Sequence, residues 1–185
     1  VQLQVARRGG EGDSLVVGHH EHGCLGDGLG NDGVDLAGHD GGAGLALGET
    51  NLAEAGLGPL HVAHTEAEAK GRAGVAVLTS APQKKVRIGV GPDEFAGSGR
   101  YGEVEVDTVL GKVVVASVYV HTGEASDEAR QSEKYRFLDA VETRMLQLGK
   151  AAARKNGGQA ILCGDLNVAH SEMDIKNWKG NRGKA

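Results

Sequence analysis

Two polar side chains at the end of an apolar run carry the clearest chemistry in this chain, Asp165 and Asn167 in Gln159-Ala-Ile-Leu-Cys-Gly-Asp-Leu-Asn-Val168. A carboxylate accepts hydrogen bonds and coordinates hard cations, whereas a carboxamide both donates and accepts. A carboxylate can therefore orient a water or touch a metal while an amide beside it holds a phosphate oxygen. Two residues apart on an extended backbone, the pair leaves the chain on one side. The same residues can also simply cap a turn after a core strand, as Asp and Asn commonly do.

The elements that must position the pair can be read from hydrophobic patterning. Ala160 to Cys163 is apolar without alternation and reads as a buried strand, whose carboxyl end is where open α/β sheets bind ligands. Gly74–Thr79 and Val113–Tyr119 are similar runs, Tyr101–Val106 alternates with period two, and Val86–Val90 is a further strand. These four strands are expected to lie beside one another in a sheet. Tyr119 ends the most apolar of them, so its phenol can bond a phosphate or an attacking water, or can sit at an interface with a hydrated hydroxyl. His121 follows in a loop. Between Ser126 and Asn156 lies a helix in which Tyr135, Leu138, Val141, Met145, Leu148 and Ala152 form the packing stripe. Glu133, Lys134, Glu142, Arg144, Gln147 and Lys150 are assigned to its wetter sides. A strand-helix-strand crossover brings the ends of the Tyr119 and Cys163 strands to one edge of the sheet.

Earlier in the chain the signals thin out. The first 50 residues hold 14 glycines, and every Phe, Trp and Tyr lies from Phe95 onward. Glycine raises the entropy cost of ordering, and small apolar residues offer little area against it. Residues 1–47 are therefore expected to be an atypical, Gly-rich region without a core of its own. Val1–Val5, Leu15–Val17, Leu45–Leu47 and His61–His64 are short strand candidates. Gly26, Gly28 and Gly30 follow no strand, which argues against a dinucleotide loop. His19, His20, His22 and Cys24 lack metal-site spacing and read as a solvent-facing loop.

Length and composition set outer bounds. At 185 residues the chain suits one domain, and its net charge of -5 argues against a generally basic nucleic-acid coat while leaving room for a local one. Cys24 and Cys163 are far apart, so a reducing, cytoplasmic setting without a structural disulfide is expected. No run reaches membrane-spanning length. Lys176, Lys179, Arg182 and Lys184 surround Trp178, a combination that can contact phosphate and stack on a nucleotide or serve as an exposed charged tail.

From Gly74 to Arg182 the chain resembles the exonuclease III type of AP endonuclease, in the endonuclease/exonuclease/phosphatase superfamily with the DNase I-like nucleases. The resemblance rests on Gly74-Val-Ala-Val-Leu, Gly99-Arg-Tyr101, Ser117-Val-Tyr-Val, Glu133-Lys-Tyr-Arg-Phe-Leu-Asp139, Cys163-Gly-Asp-Leu-Asn-Val-Ala-His170 and Asp174-Ile-Lys-Asn-Trp-Lys-Gly-Asn181, in that order. It implies an α/β, DNase I-like sandwich, incomplete here and mainly the first half of a four-layer fold, with residues 48–185 as a partial domain. It implies that Asp165 activates water, that Asn167 and Tyr119 meet the scissile phosphate, and that Glu49, in Gly48-Glu-Thr50, binds Mg²⁺ or Mn²⁺. Trp178, Lys176, Lys179 and Arg182 become candidates for contact with nucleic acid.

The implied reaction is hydrolysis of DNA phosphodiesters at 3′ ends and on the 5′ side of abasic sites, by a monomer acting on double-stranded DNA. Residues 1–47 show no Thr-Trp-Asn-like opening strand, and the chain stops before the family's later Asp-x-Asn and Asp-His segments. The expectation is therefore a fragment with an aberrant N-terminal region. Another superfamily phosphodiesterase and an inactive nucleic-acid-binding remnant remain the alternatives.

Overall fold

The computed structural model describes residues 2–6, 15–20, 60–69, 72–109, 111–154 and 158–182, the first two segments as backbone only. Its elements run β1 (Gln2–Ala6), β2 (Leu15–His20), β3 (His61–Glu66), β4 (Gly74–Thr79), β5 (Gln83–Ile88), β6 (Tyr101–Thr108), β7 (Gly111–Tyr119), α1 (Glu128–Ala152), β8 (Gln159–Asp165) and α2 (Trp178–Asn181). Short 3₁₀ turns cover Asp93–Phe95 and Glu172–Asp174. The strands form two four-stranded sheets, β1-β2-β4-β3 and β5-β6-β7-β8. Every pairing is antiparallel except β7 with β8, which is parallel.

Strand β4 therefore does not join β5, β6 and β7, as the sequence reading expected, but belongs to the opposite sheet. Ser80-Ala-Pro82 carries the chain across, and Gln83 Nε2 ties the crossing down by donating to the carbonyls of His61 at 3.0 Å and Val77 at 3.2 Å. The strand expected at Val86–Val90 lies earlier, at Gln83–Ile88, because Gly89 turns the backbone with φ 84°. The Leu45–Leu47 candidate, His22, Cys24 and Glu49 fall outside the described residues. His19 and His20 belong to β2.

Sheet packing explains why β7 is apolar on both faces from Val113 on, with Ser117 the one hydroxyl residue inside the run. Val113 and Val115 pack with Val104, Val106, Ala63 and Val77 between the sheets. The alternating residues Ala116 and Val118, with Val120 just beyond the strand, pack on the other face against Phe137, Ala140 and Val141 of α1. A strand covered on both sides reads as a near-continuous apolar run without alternation. The layers are thus sheet, sheet and helix, with β7 between the two cores.

Helix α1 starts at Asp127, whose carboxylate accepts the Arg130 N–H as an N-cap. Its buried residues are Lys134, Phe137, Ala140, Val141 and Leu148. The expected stripe is corrected at two places, since Tyr135 and Met145 are 54% and 48% exposed. Lys134 and Arg144, assigned to the wet side, turn inward. Hydrophobicity alone cannot find this face, because two cationic side chains supply part of it.

Candidate functional site at the ends of β7 and β8

The crossover has the predicted result. Parallel register places Tyr119 opposite Asp165 on neighbouring strands, and the Val120 N–H donates to the Asp165 carbonyl at 2.9 Å. Opposed residues on paired strands project from the same face of a sheet, whose strands are about 4.8 Å apart. That face looks toward the other sheet, where Tyr119, 4% exposed, packs on Ala73 and Val75. The pair therefore sits at one end of the seam between the sheets.

Asn167 departs from the extended geometry assumed for it. Its φ is 47°, in the left-handed region that side-chain-bearing residues seldom occupy. The Asn167 N–H donates to Asp165 Oδ1 at 2.8 Å, and Asn167 Nδ2 donates to the Val120 carbonyl at 2.8 Å. The first of these is the turn-capping bond that an Asp makes two residues on. Asp165 and Asn167 thus cap a turn, and the same bonds bring the Asn167 amide back over the end of β7. Both residues are half-buried.

Gly164 makes this approach possible. Its φ is 135°, and a Cβ there would collide with the Val118 carbonyl on β7. Only glycine lets β8 run this close to β7 just before Asp165. Cys163, one residue earlier, is a partly buried free thiol whose Sγ lies 3.6 Å from the Ala116 carbonyl, and burial pushes its pKa up.

Three further residues surround the site. The Arg100 guanidinium lies over the Tyr119 ring, 4.4 Å from its centroid, and Nη1 donates to the Tyr119 carbonyl at 3.3 Å. Stacking of this kind contributes about 0.5–2 kcal/mol and fixes the ring. His121 packs edge-on to Phe137 with centroids 5.0 Å apart, and burial followed by the nearby Arg100 charge lowers its pKa to about 4. It is therefore neutral near neutral pH. Glu133 lies 3.4 Å from His121 Nε2, but its carboxylate is half exposed and does not offset the desolvation. The buried Lys134 donates to carbonyls in both loops of the site. Sequence reading missed Arg100 and Lys134 as site residues because their motifs, Gly-Arg-Tyr and Glu-Lys-Tyr, look like surface charges beside aromatics.

The candidate nucleic-acid contacts lie beyond the second 3₁₀ turn. Trp178 opens α2 and is half-buried, whereas Lys176, Lys179 and Arg182 are exposed. Asn177 caps α2 by accepting the Gly180 N–H at 3.2 Å. Among the described residues, no three His, Cys, Asp or Glu side chains converge to hold a metal ion. The Asp165 carboxylate is a hard oxygen donor of the kind that divalent cations accept. Among the described residues no helix is long and apolar enough to cross a membrane.

The two-sheet α/β core has counterparts among solved structures. The fold matches a solved AP endonuclease from Archaeoglobus fulgidus with a TM-score of 0.56 and 21% identity, over 72% of this chain and 46% of that one. Residues 26–185 match the model of the Endonuclease/Exonuclease/phosphatase family, and the chain belongs to that family. It is 34% identical over 125 residues to an exodeoxyribonuclease of Bacillus subtilis, covering 68% of this chain and 45% of that protein. It is 32% identical over 120 residues to a DNA-(apurinic or apyrimidinic site) endonuclease of Dictyostelium discoideum, covering 65% and 31%. The resemblance read from the motifs is borne out, as is the incomplete DNase I-like α/β fold. The chain spans less than half the length of these relatives. Nucleases of the family depend on a divalent metal.

Proposed function

We propose that the site at the ends of β7 and β8 belongs to an exonuclease III-type deoxyribonuclease that hydrolyses phosphodiesters of double-stranded DNA, at 3′ ends and 5′ to abasic sites. The observation that carries this reading is the register of Tyr119 against Asp165, with the Asn167 amide folded back between their loops. Asp165 is a hydrogen-bond acceptor at the mouth of the seam and orients the attacking water. Tyr119, steadied by Arg100, presents its phenol to a non-bridging phosphate oxygen. Asn167 offers its carboxamide to the same phosphate. These groups act by holding water and phosphate in line for displacement.

A Mg²⁺ or Mn²⁺ ion, held partly by Glu49, would neutralise charge developing on the phosphate. Trp178, Lys176, Lys179 and Arg182 supply a stacking surface and cationic charge for the DNA backbone, with the protein acting as a monomer. The free Cys163 thiol suits a reducing, cytoplasmic setting.

The test is cleavage of a duplex carrying one abasic site, with Mg²⁺ and with chelator, by this chain and its Asp165→Ala variant. Metal-dependent incision lost in the variant is the expected result. Equal cleavage by both proteins, or none by a folded chain that still binds the duplex, overturns the assignment. Preference for a lipid or inositol phosphate over DNA would move it to another branch of the superfamily.

A further inference from the structure

We propose that Lys134 is a positioning residue for this site, clamping the loop after β7 to the loop after β8 from beneath and so holding Asn167 in its left-handed conformation. The proposal deepens the nuclease reading in its catalytic consequence, whereas the clamp itself is a property of the fold. Lys134 lies on α1, the crossover helix that separates the two strands in sequence, and is 3% exposed. Its Nζ donates to the carbonyl of Thr122, three residues past Tyr119, at 3.0 Å. It also donates to the carbonyl of Asn167, two residues past Asp165, at 2.8 Å. An ammonium has three donors and no acceptor, so two carbonyls from two loops are natural partners for it.

Asn167 shows why the clamp matters. A left-handed residue with a Cβ is held only where surrounding bonds determine it. Three bonds do so here. The N–H goes to Asp165 Oδ1, the side-chain amide goes to the Val120 carbonyl, and the carbonyl accepts from Lys134. The first closes the turn after β8, the second ties that turn to the end of β7, and the third anchors Asn167 to the helix layer. The loop after β7 is shaped around the same side chain. Gly123 has φ 75°, and a Cβ there would lie 2.8 Å from Lys134 Cδ and 2.6 Å from Gln131 Oε1. Because the ammonium is buried, its work is internal and not contact with a phosphate in solution.

The experiment uses the full chain, labelled with ¹⁵N, beside Lys134→Met and Lys134→Arg. Asn167 amide exchange is expected to rise about tenfold or more in Lys134→Met, while the Val104 and Val115 amides in the centre of the sheet keep their protection. Arginine, which can still donate to both carbonyls, should restore most of the Asn167 protection. In abasic-site cleavage, Lys134→Met should lose kcat by about tenfold with KM within about twofold. Its duplex binding should keep the wild-type salt dependence.

Unchanged Asn167 exchange in Lys134→Met refutes the clamp, and so does an arginine variant no better than methionine. Should Lys134→Met not fold, the wild-type chain decides the matter. A Lys134 ammonium that exchanges as fast as the exposed Lys179 ammonium refutes the proposal, and a slowly exchanging one supports it. Exchange is read without turnover, so a wild-type chain that cleaves nothing counts against the nuclease reading alone.

Discussion

Removing Arg144 should expose how much of the fold hangs on a buried charge. Its guanidinium grips Glu103 with two bonds, Nε to Oε2 at 3.0 Å and Nη2 to Oε1, and Tyr101 donates to Glu103 Oε2 at 2.6 Å. The Glu103 side chain is 8% exposed and that of Arg144 18%. Burial, then the bond to Glu103, holds the Tyr101 phenol protonated far above its usual range. In Arg144→Met the carboxylate keeps one donor and loses its cation. Breaking such a pair costs about 3–5 kcal/mol, and the partial exposure of Arg144 places the expected loss near the lower bound, about 3 kcal/mol.

Adding Glu103→Gln removes the stranded charge and keeps an acceptor for Tyr101. The double variant should therefore recover at least about 1.5 kcal/mol over Arg144→Met. Urea denaturation followed by circular dichroism measures all four proteins. A single-variant loss under about 1 kcal/mol, additive with Glu103→Gln, would refute the reasoning.

Gly164→Ala should destabilise the chain by at least about 2 kcal/mol in the same denaturation, because a Cβ at φ 135° meets the Val118 carbonyl; unchanged protection of the Val120 amide would contradict this. His121 is neutral in the fold with its pKa lowered to about 4, so its contribution is complete above about pH 6.5 and is lost as pH falls from there toward 4. Partial solvent access reduces the loss to roughly 1–2 kcal/mol, and His121→Phe should flatten the stability profile over that window. Lys176→Ala and Lys179→Ala should each lower the slope of log affinity against log salt by about one for duplex DNA, with a uniform loss across sequences. A slope that does not move would mean that these exposed charges face solvent in the complex as well.

What could be read from the residues followed from burial on both faces. The apolar runs at Val75–Leu78 and Val113–Tyr119 had to be central strands, and α1 with its flanking strands had to be a crossover, which fixed Tyr119 beside Asp165. What escaped were features set by polar groups turned inward. Patterning treats Lys134 and Arg144 as wet, yet one bonds two loop carbonyls and the other a buried carboxylate. The face of α1 is consequently rotated away from Tyr135 and Met145. Nor does Gly-Asp-Leu-Asn announce a left-handed Asn167, since that conformation depends on Val120 and Lys134, both distant in sequence. Glu49, proposed from its Gly-Glu-Thr motif, lies outside the described residues.

The parallel pairing of β7 with β8 also sets when the site can exist. Tyr119 and Asp165 become neighbours only after the intervening chain, helix included, has closed on itself. Closing a flexible loop of that length costs roughly 3 kcal/mol in entropy before any contact across it is gained. The pair therefore exists only while that segment stays closed, and an opening of α1 that releases β8 dismantles it. A nascent or partly unfolded chain can carry every residue of the site in its sequence and still lack the pairing that brings Tyr119 beside Asp165.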